Sequence, residues 1–284
     1  MTRIDAHHHV WQLARRPQLW LDRAELAPIR RDFTLDGLAR ETRATGIDRT
    51  VLVQVLPDPA ETAEFLALAA GSDLVAGVVG WADLTSDELP DRLAELRAGP
   101  GGDLLVGIRH LVQAEPNPCW LARAEVRRGL RAVAEAGLAY DLLTLPHQLP
   151  TAIDTVRSRP ELTFVLDHLS KPAIAFGELR PWTKLVRELA AEPNVHCKLS
   201  GLVTEAEWDH WTVADLRPYA EVVLDAFGPS RVMFGSDWPV CLLAASYAEV
   251  VSTAGELMAG LAEEERAEVF GGTAVRVYGL ADIR

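Results

Sequence analysis

Two histidines one residue apart, His7 and His9 in Asp5-Ala6-His7-His8-His9-Val10-Trp11, are the first residues whose types and spacing could do chemistry. Side chains alternate along a β-strand, so on a regular strand His7 and His9 share a face with Asp5 and His8 points the other way. Two neighbouring imidazoles suit a metal ion or a developing negative charge better than they suit a packed core. The competing readings are a pair of structural histidines satisfied by backbone groups, or the remnant of a purification tag. Tags sit in unstructured sequence, and the flanking Ile4 and Val10-Trp11 tell against that reading.

Two more segments change abruptly from apolar to polar. In Phe164-Val165-Leu166-Asp167-His168 the polar end offers His168, with Asp167 or His168 as a simple turn cap for its alternative. In Val232-Met233-Phe234-Gly235-Ser236-Asp237 it offers Asp237, a carboxylate that a histidine cluster would give reason to enclose and that could act as a general base. An Asx-turn before Pro239 is the plainer reading of Asp237. Arg109 and Lys198 offer fixed positive charge, suited to a carboxylate or a polarised carbonyl. Either Arg109 or His110 faces inward, since neighbours on a strand occupy opposite faces. Trp11, Trp81 and Trp238 stand at or just after apolar runs, where an indole could form a flat wall against a sugar or simply cap a core.

The elements that must position these residues repeat along the chain. Short β-branched runs read as strands at Arg3–His9, Arg49–Val55, Leu74–Trp81, Leu104–His110, Ala139–Leu143, Thr163–Asp167, Val195–Leu199 and Arg231–Gly235. Helical periodicity lies between them, as at Leu35–Thr45, Ala60–Ala70, Asp87–Ala98, Glu125–Ala136, Pro181–Glu192 and Asp215–Phe227, with Gly46, Gly71, Gly99, Gly137 and Gly228 just past five of these. Eight strand-helix units predict a single α/β domain over residues 1–284, a (β/α)8 barrel with polar residues from most strand ends meeting at its C-terminal mouth. The series runs through His7, His9, Gln54, Asp83, Arg109, His110, Asp141, His168, Lys198, Ser200, Ser236 and Asp237. A doubly wound open sheet would gather them at one or two loops instead.

Composition narrows the ligand. The 284 residues carry a formal charge of −13, and an acidic surface repels nucleic acid and anionic membrane, which leaves a small molecule. No apolar run is long enough to span a bilayer and the start of the chain carries no signal segment, so the expected location is the cytoplasm. The three widely spaced cysteines fit reduced thiols.

In combination the motifs Asp5-Ala6-His7-His8-His9-Val10-Trp11, Gly107-Ile108-Arg109-His110, Asp167-His168-Leu169-Ser170-Lys171-Pro172, Lys198-Leu199-Ser200-Gly201 and Phe234-Gly235-Ser236-Asp237-Trp238-Pro239 resemble the amidohydrolase superfamily. The resemblance is to its branch of L-fuconolactonase- and L-rhamnonolactonase-type sugar lactonases. It implies hydrolysis of a cyclic ester. Asp237 would take a proton from water, His7 and His9 would stabilise the carbonyl oxygen, and His168 would orient the water or protonate the departing alkoxide. Arg109, His110, Lys198, Trp11, Trp81 and Trp238 would contact the sugar. The wider superfamily's two-metal members carry a bridging lysine where this chain has Arg109-His110, and a histidine where it has Asp141-Leu142. The expectation is one zinc at most, on His7, His9, His168 and Asp237, with metal-independent catalysis left open. An amidase, a nonoxidative decarboxylase and a non-catalytic binder are the alternatives; the oligomeric state is left open, a homo-oligomer included.

Overall fold

The computed structural model describes residues 2–280. Eight strands follow the chain in spatial order, all parallel to their neighbours: β1 (Ile4–His8), β2 (Arg49–Val53), β3 (Val75–Gly80), β4 (Leu105–His110), β5 (Ala139–Leu142), β6 (Phe164–Leu166), β7 (Val195–Leu199) and β8 (Val232–Phe234). The predicted eight-unit barrel is the fold. Helices α1 (Leu35–Thr45), α2 (Pro59–Ala70), α3 (Leu89–Ala98), α4 (Ala124–Glu135), α5 (Leu149–Arg157) and α6 (Trp182–Ala190), with longer ones over Val213–Phe227 and Tyr247–Leu257, cover the outside.

Local chemistry sets the helix ends. The α1 helix starts where the Thr34 hydroxyl accepts the Gly37 N–H, and it stops at Gly46 in the left-handed conformation (φ 68°). The α2 helix combines an Asp58 cap with Pro59 in its first turn. Gly71 and Gly99, expected to end their helices in the same way as Gly46, have ordinary negative φ instead.

Two apolar layers result. A large one lies between sheet and helices, and a smaller one fills the barrel with Ile4, Ala6, Val51, Val53, Val79, Ala139, Val165 and Met233. Ala274, Tyr278 and Leu280, from the C-terminal helix and the residues after it, close the barrel from below. No described helix is long and apolar enough to cross a membrane.

His196 on β7 carries a measurable cost. Burial, with Arg231 and Arg276 adding to it, pushes its pKa down to about 4, and its Nδ1 has no hydrogen-bond partner. The folded protein therefore refuses a proton that the unfolded chain accepts, and stability present above pH 6.5 is lost as pH falls toward 4. Full linkage at pH 5 would amount to about 2 kcal/mol, reduced to about 1 kcal/mol by partial exposure. Urea unfolding of His196→Gln at pH 8 and pH 5 should narrow the wild-type stability gap by about that amount. An unchanged gap contradicts this assignment.

Candidate active site

The barrel closes through its own candidate site. Beyond the short β8, Asp237 N donates to the His7 carbonyl (2.8 Å) and His9 N donates to the Trp238 carbonyl (2.7 Å). These bonds join the last strand to the first. The β1 strand is irregular here: Asp5 pairs with Thr50 and His8 with Leu52, so three residues of β1 span two of β2. Such a bulge reverses the alternation partway along the strand. His7 and His9 turn to the mouth and His8 away from it, but Asp5 does not share their face as regular alternation predicts. Its carboxylate is a tie instead, accepting from Ser236 N (2.8 Å), Ser236 Oγ (2.6 Å), His7 N (3.1 Å) and Tyr247 Oη (3.1 Å).

Three imidazoles surround one carboxylate oxygen. His7 Nε2 is 3.2 Å from His9 Nε2, and Asp237 Oδ1 lies 3.5 Å from His9 Nε2 and 3.8 Å from both His7 Nε2 and His168 Nε2. The Val53 carbonyl can only accept, so His9 Nδ1 donates to it (2.8 Å), which turns Nε2 toward His7 and Asp237. Burial holds His7 well below the usual imidazole range and pushes His168 down to about 4, so both are neutral near pH 7. Burial alone would raise Asp237, but His168, His9 and His7 outweigh it and hold the carboxyl well below its usual range.

Beneath this cluster lies a charged layer without solvent. Lys198 Nζ donates to Asp141 Oδ2 (2.6 Å), lies 3.2 Å from His7 Nδ1 and forms an ion pair with Asp167 Oδ1 at 3.0 Å. Lys198 is fully buried among these groups, although a contact at the mouth is the sequence expectation. Arg109 Nη1 reaches Asp167 Oδ2 (3.0 Å) and His7 Nε2 (3.3 Å), and its Nη2 donates to the Gln54 carbonyl (2.5 Å). The inward residue of the Arg109/His110 pair is therefore Arg109. Burial would raise Asp167, but Lys198, His7 and Arg109 hold it well below the carboxylate range. Asp141, held additionally by Tyr278 Oη (2.9 Å), is pushed up to about 6 by burial that Lys198 only partly offsets.

His168 is aimed by an unusual backbone. Residues His168, Leu169, Ser170 and Lys171 all have φ between 50° and 59°, a left-handed turn that costs L-residues energy and collects at functional sites. Trp182 Nε1 donates to the Leu169 carbonyl (2.7 Å) and the Ser170 and Thr144 hydroxyls are 2.8 Å apart, which holds the turn in place. On the ring itself, Nδ1 meets Ser200 Oγ at 2.9 Å. Gly201, at φ 67°, leaves room: a Cβ there would sit 2.7 Å from His168 Nδ1. Gly201→Ala should therefore displace the imidazole, lowering kcat by about 100-fold with a stability loss of about 1–2 kcal/mol. Kinetics and urea unfolding check this; wild-type kcat in the variant would show that His168 needs no fixed place.

The remaining sequence candidates are spread over the rim. Trp11 and Trp238 are buried in an edge-to-face row, Trp20–Trp11–Phe33–Trp238. Trp81 is partly exposed and its indole N–H meets His110. Asp83 only caps a turn, accepting from Thr85 N and Oγ1. Two central residues escape sequence reasoning. Asp167 reads as a turn residue yet binds three site groups, and Tyr278 belongs to a helix that no strand-end pattern marks.

The profile of the family described as Amidohydrolase matches residues 4–280. The chain belongs to the amidohydrolase family. This amidohydrolase is 39% identical to an L-fucono-1,5-lactonase of Burkholderia ambifaria, over 97% of this chain and 95% of that protein. It is 40% identical to an L-fucono-1,5-lactonase of Burkholderia multivorans, over 99% and 97% respectively. A crystal structure of an amidohydrolase from Burkholderia multivorans with bound zinc superposes with a TM-score of 0.92 at 39% identity, covering 99% of this chain and all of that one.

The site chemistry of this amidohydrolase fits one divalent cation. His9 Nε2 and Asp237 Oδ1 face each other at 3.5 Å, and a cation between them would be held by both. Two ligands about 2.05 Å from a tetrahedral zinc lie about 3.3 Å apart, close to the 3.2 Å between His7 and His9 and the 3.5–3.8 Å from Asp237 to His9, His7 and His168. Among these, His7, His168 and Asp237 each place one ligand atom within 4.8 Å of the others. Arg109 and Lys198 already supply positive charge on the inner side of His7, so a second divalent ion has no place there.

Proposed function

We propose that this amidohydrolase opens a six-membered sugar lactone of the L-fucono-1,5-lactone class by attack of water on its carbonyl carbon. The carrying observation is Asp237: a carboxylate that stays ionised at neutral pH, placed against three imidazoles at the closing seam of the barrel. Full-length identity of about 40% to proteins that act on this lactone supports the substrate class. Residues 1–284 act as one catalytic domain in this reading.

The steps follow from where charge develops. Asp237 takes a proton as water forms its bond to C1, and the carbonyl π electrons pass to oxygen. In this reading the oxyanion forms beside His7, whose Nε2 is 3.2 Å from His9 Nε2 and 3.3 Å from Arg109 Nη1. Collapse of the tetrahedral intermediate breaks the bond from C1 to the ring oxygen. The departing alkoxide receives the proton held at Asp237, delivered by way of His168 Nε2. The aldonic acid formed ionises, so each turnover releases one proton at neutral pH. His7, His9, His168 and Asp237 would hold zinc, which when bound supplies Lewis-acid polarisation of the carbonyl and a more acidic water.

A pH-indicator screen tests this reading with five- and six-membered aldonolactones, a sugar amide and an aromatic carboxylic acid. Saturable acid release from the six-membered lactone is expected, with neither amide cleavage nor carbon dioxide release. Failure of every lactone, or turnover confined to the amide or the aromatic acid, overturns it in favour of the amidase or decarboxylase reading. Chelation followed by zinc repletion decides the metal: activity lost and restored supports zinc, and undiminished activity in metal-stripped protein removes it.

A further inference from the structure

One sector of the mouth holds an ordered group that the proton transfers above leave unused. His110, the last residue of β4, lies with Nδ1 3.1 Å from Trp81 Nε1 and Nε2 2.7 Å from Glu115 Oε1. An indole N–H can only donate, so His110 Nδ1 accepts; Nε2 then bears the hydrogen and donates to Glu115. The same ring is stacked on buried Trp120, with centroids 4.2 Å apart and planes 7° from parallel. Trp81 is held from a second side as well: its backbone N–H donates to Thr62 Oγ1, and that hydroxyl donates back to its carbonyl, both at 2.8 Å. The neighbouring Arg109 reaches His7, so this wall stands one residue from the imidazole cluster.

We propose that Glu115 and His110 are positioning residues that clamp the Trp81 indole as a fixed wall for the C–H face of the sugar ring, setting how tightly the lactone binds and not how fast it opens. The proposal rests on the lactone reading of the same site. Glu115 selects the His110 tautomer, His110 holds the indole edge, and the partly exposed indole face meets the ligand without having to be ordered at binding.

Kinetics on L-fucono-1,5-lactone together with NMR of the Trp81 indole N–H test it. His110→Ala and Glu115→Leu should each raise KM about 3- to 10-fold, the worth of one hydrogen bond, with kcat within about twofold. Glu115→Gln, whose amide oxygen still accepts from His110, should restore most of the affinity that Glu115→Leu loses. Trp81→Phe should raise KM similarly, and adding His110→Ala to it should change nothing more. An equal KM rise from His110→Ala in both backgrounds, or a fall in kcat alone, overturns the proposal. Independently of turnover, the indole resonance missing in Trp81→Phe should exchange slowly in the wild type and fast in His110→Ala; equal exchange in the two overturns the clamp. Slow exchange lost in His110→Ala, in a protein that opens no lactone, overturns the lactone reading and the wall's sugar ligand while leaving the clamp.

Discussion

Asp237→Asn should lower kcat for lactone opening by about 1,000- to 10,000-fold while leaving KM within a few-fold, because the amide cannot take a proton from water. The substitution is a clean one for the backbone. Asp237 sits at φ 58°, a left-handed conformation that asparagine tolerates as well as aspartate, and the seam bond from its N–H to the His7 carbonyl survives. Its melting temperature should therefore stay close to that of the wild type. A kcat within tenfold of wild type, in a protein that melts normally, would remove Asp237 from the proton-transfer step.

The largest stability effect is expected at Lys198→Met. This substitution leaves Asp141 and Asp167, both buried, with only Arg109, His7 and the Tyr278 hydroxyl beside them. Breaking a buried ion network by removing one partner costs about 3–5 kcal/mol, a large part of a typical total stability. The pH dependence has a definite sign. Lys198 is what restrains the burial-driven rise of Asp141, so in the variant Asp141 moves above about 6 and holds a proton that the unfolded chain, near 3.8, releases. Binding more protons when folded means that stability rises as pH falls, and the deficit should be greatest at pH 8 and shrink toward pH 5. Adding Asp141→Asn should recover much of the loss. Urea unfolding of the single and double variants at both pH values measures this; a loss below about 1 kcal/mol at pH 8 would show that the network does not hold the barrel interior.

The architecture was legible because eight alternations of two hydrophobic periods leave few other folds, and each polar strand end was visible as a sudden break in an apolar run. What escaped the sequence was orientation. The bulge in β1 adds one residue against β2, and no local pattern marks it, so regular alternation puts Asp5 on the wrong face while placing His7 and His9 correctly. Lys198 looked like a mouth residue because Leu199 ends its strand. Strand alternation turns it inward, where it is fully buried against Asp141 of β5 and Asp167 just past β6. Asp167 was hidden for the opposite reason: a turn is the common fate of an aspartate before a polar run, and its partners Arg109 and Lys198 are 58 and 31 residues away. The left-handed run from His168 to Lys171 contains no glycine, and tertiary contacts from Trp182, Thr144, Ser200 and Glu205 hold it in place.

Hydrolysis of L-fucono-1,5-lactone in 18O-enriched water, followed by mass spectrometry of the aldonate, tests most directly whether Asp237 drives water onto the carbonyl carbon. One 18O should enter the carboxylate, none should enter the hydroxyl derived from the ring oxygen, and incorporation above the spontaneous rate should vanish in Asp237→Asn. Label on the former ring oxygen, or undiminished incorporation by Asp237→Asn, would contradict the mechanism.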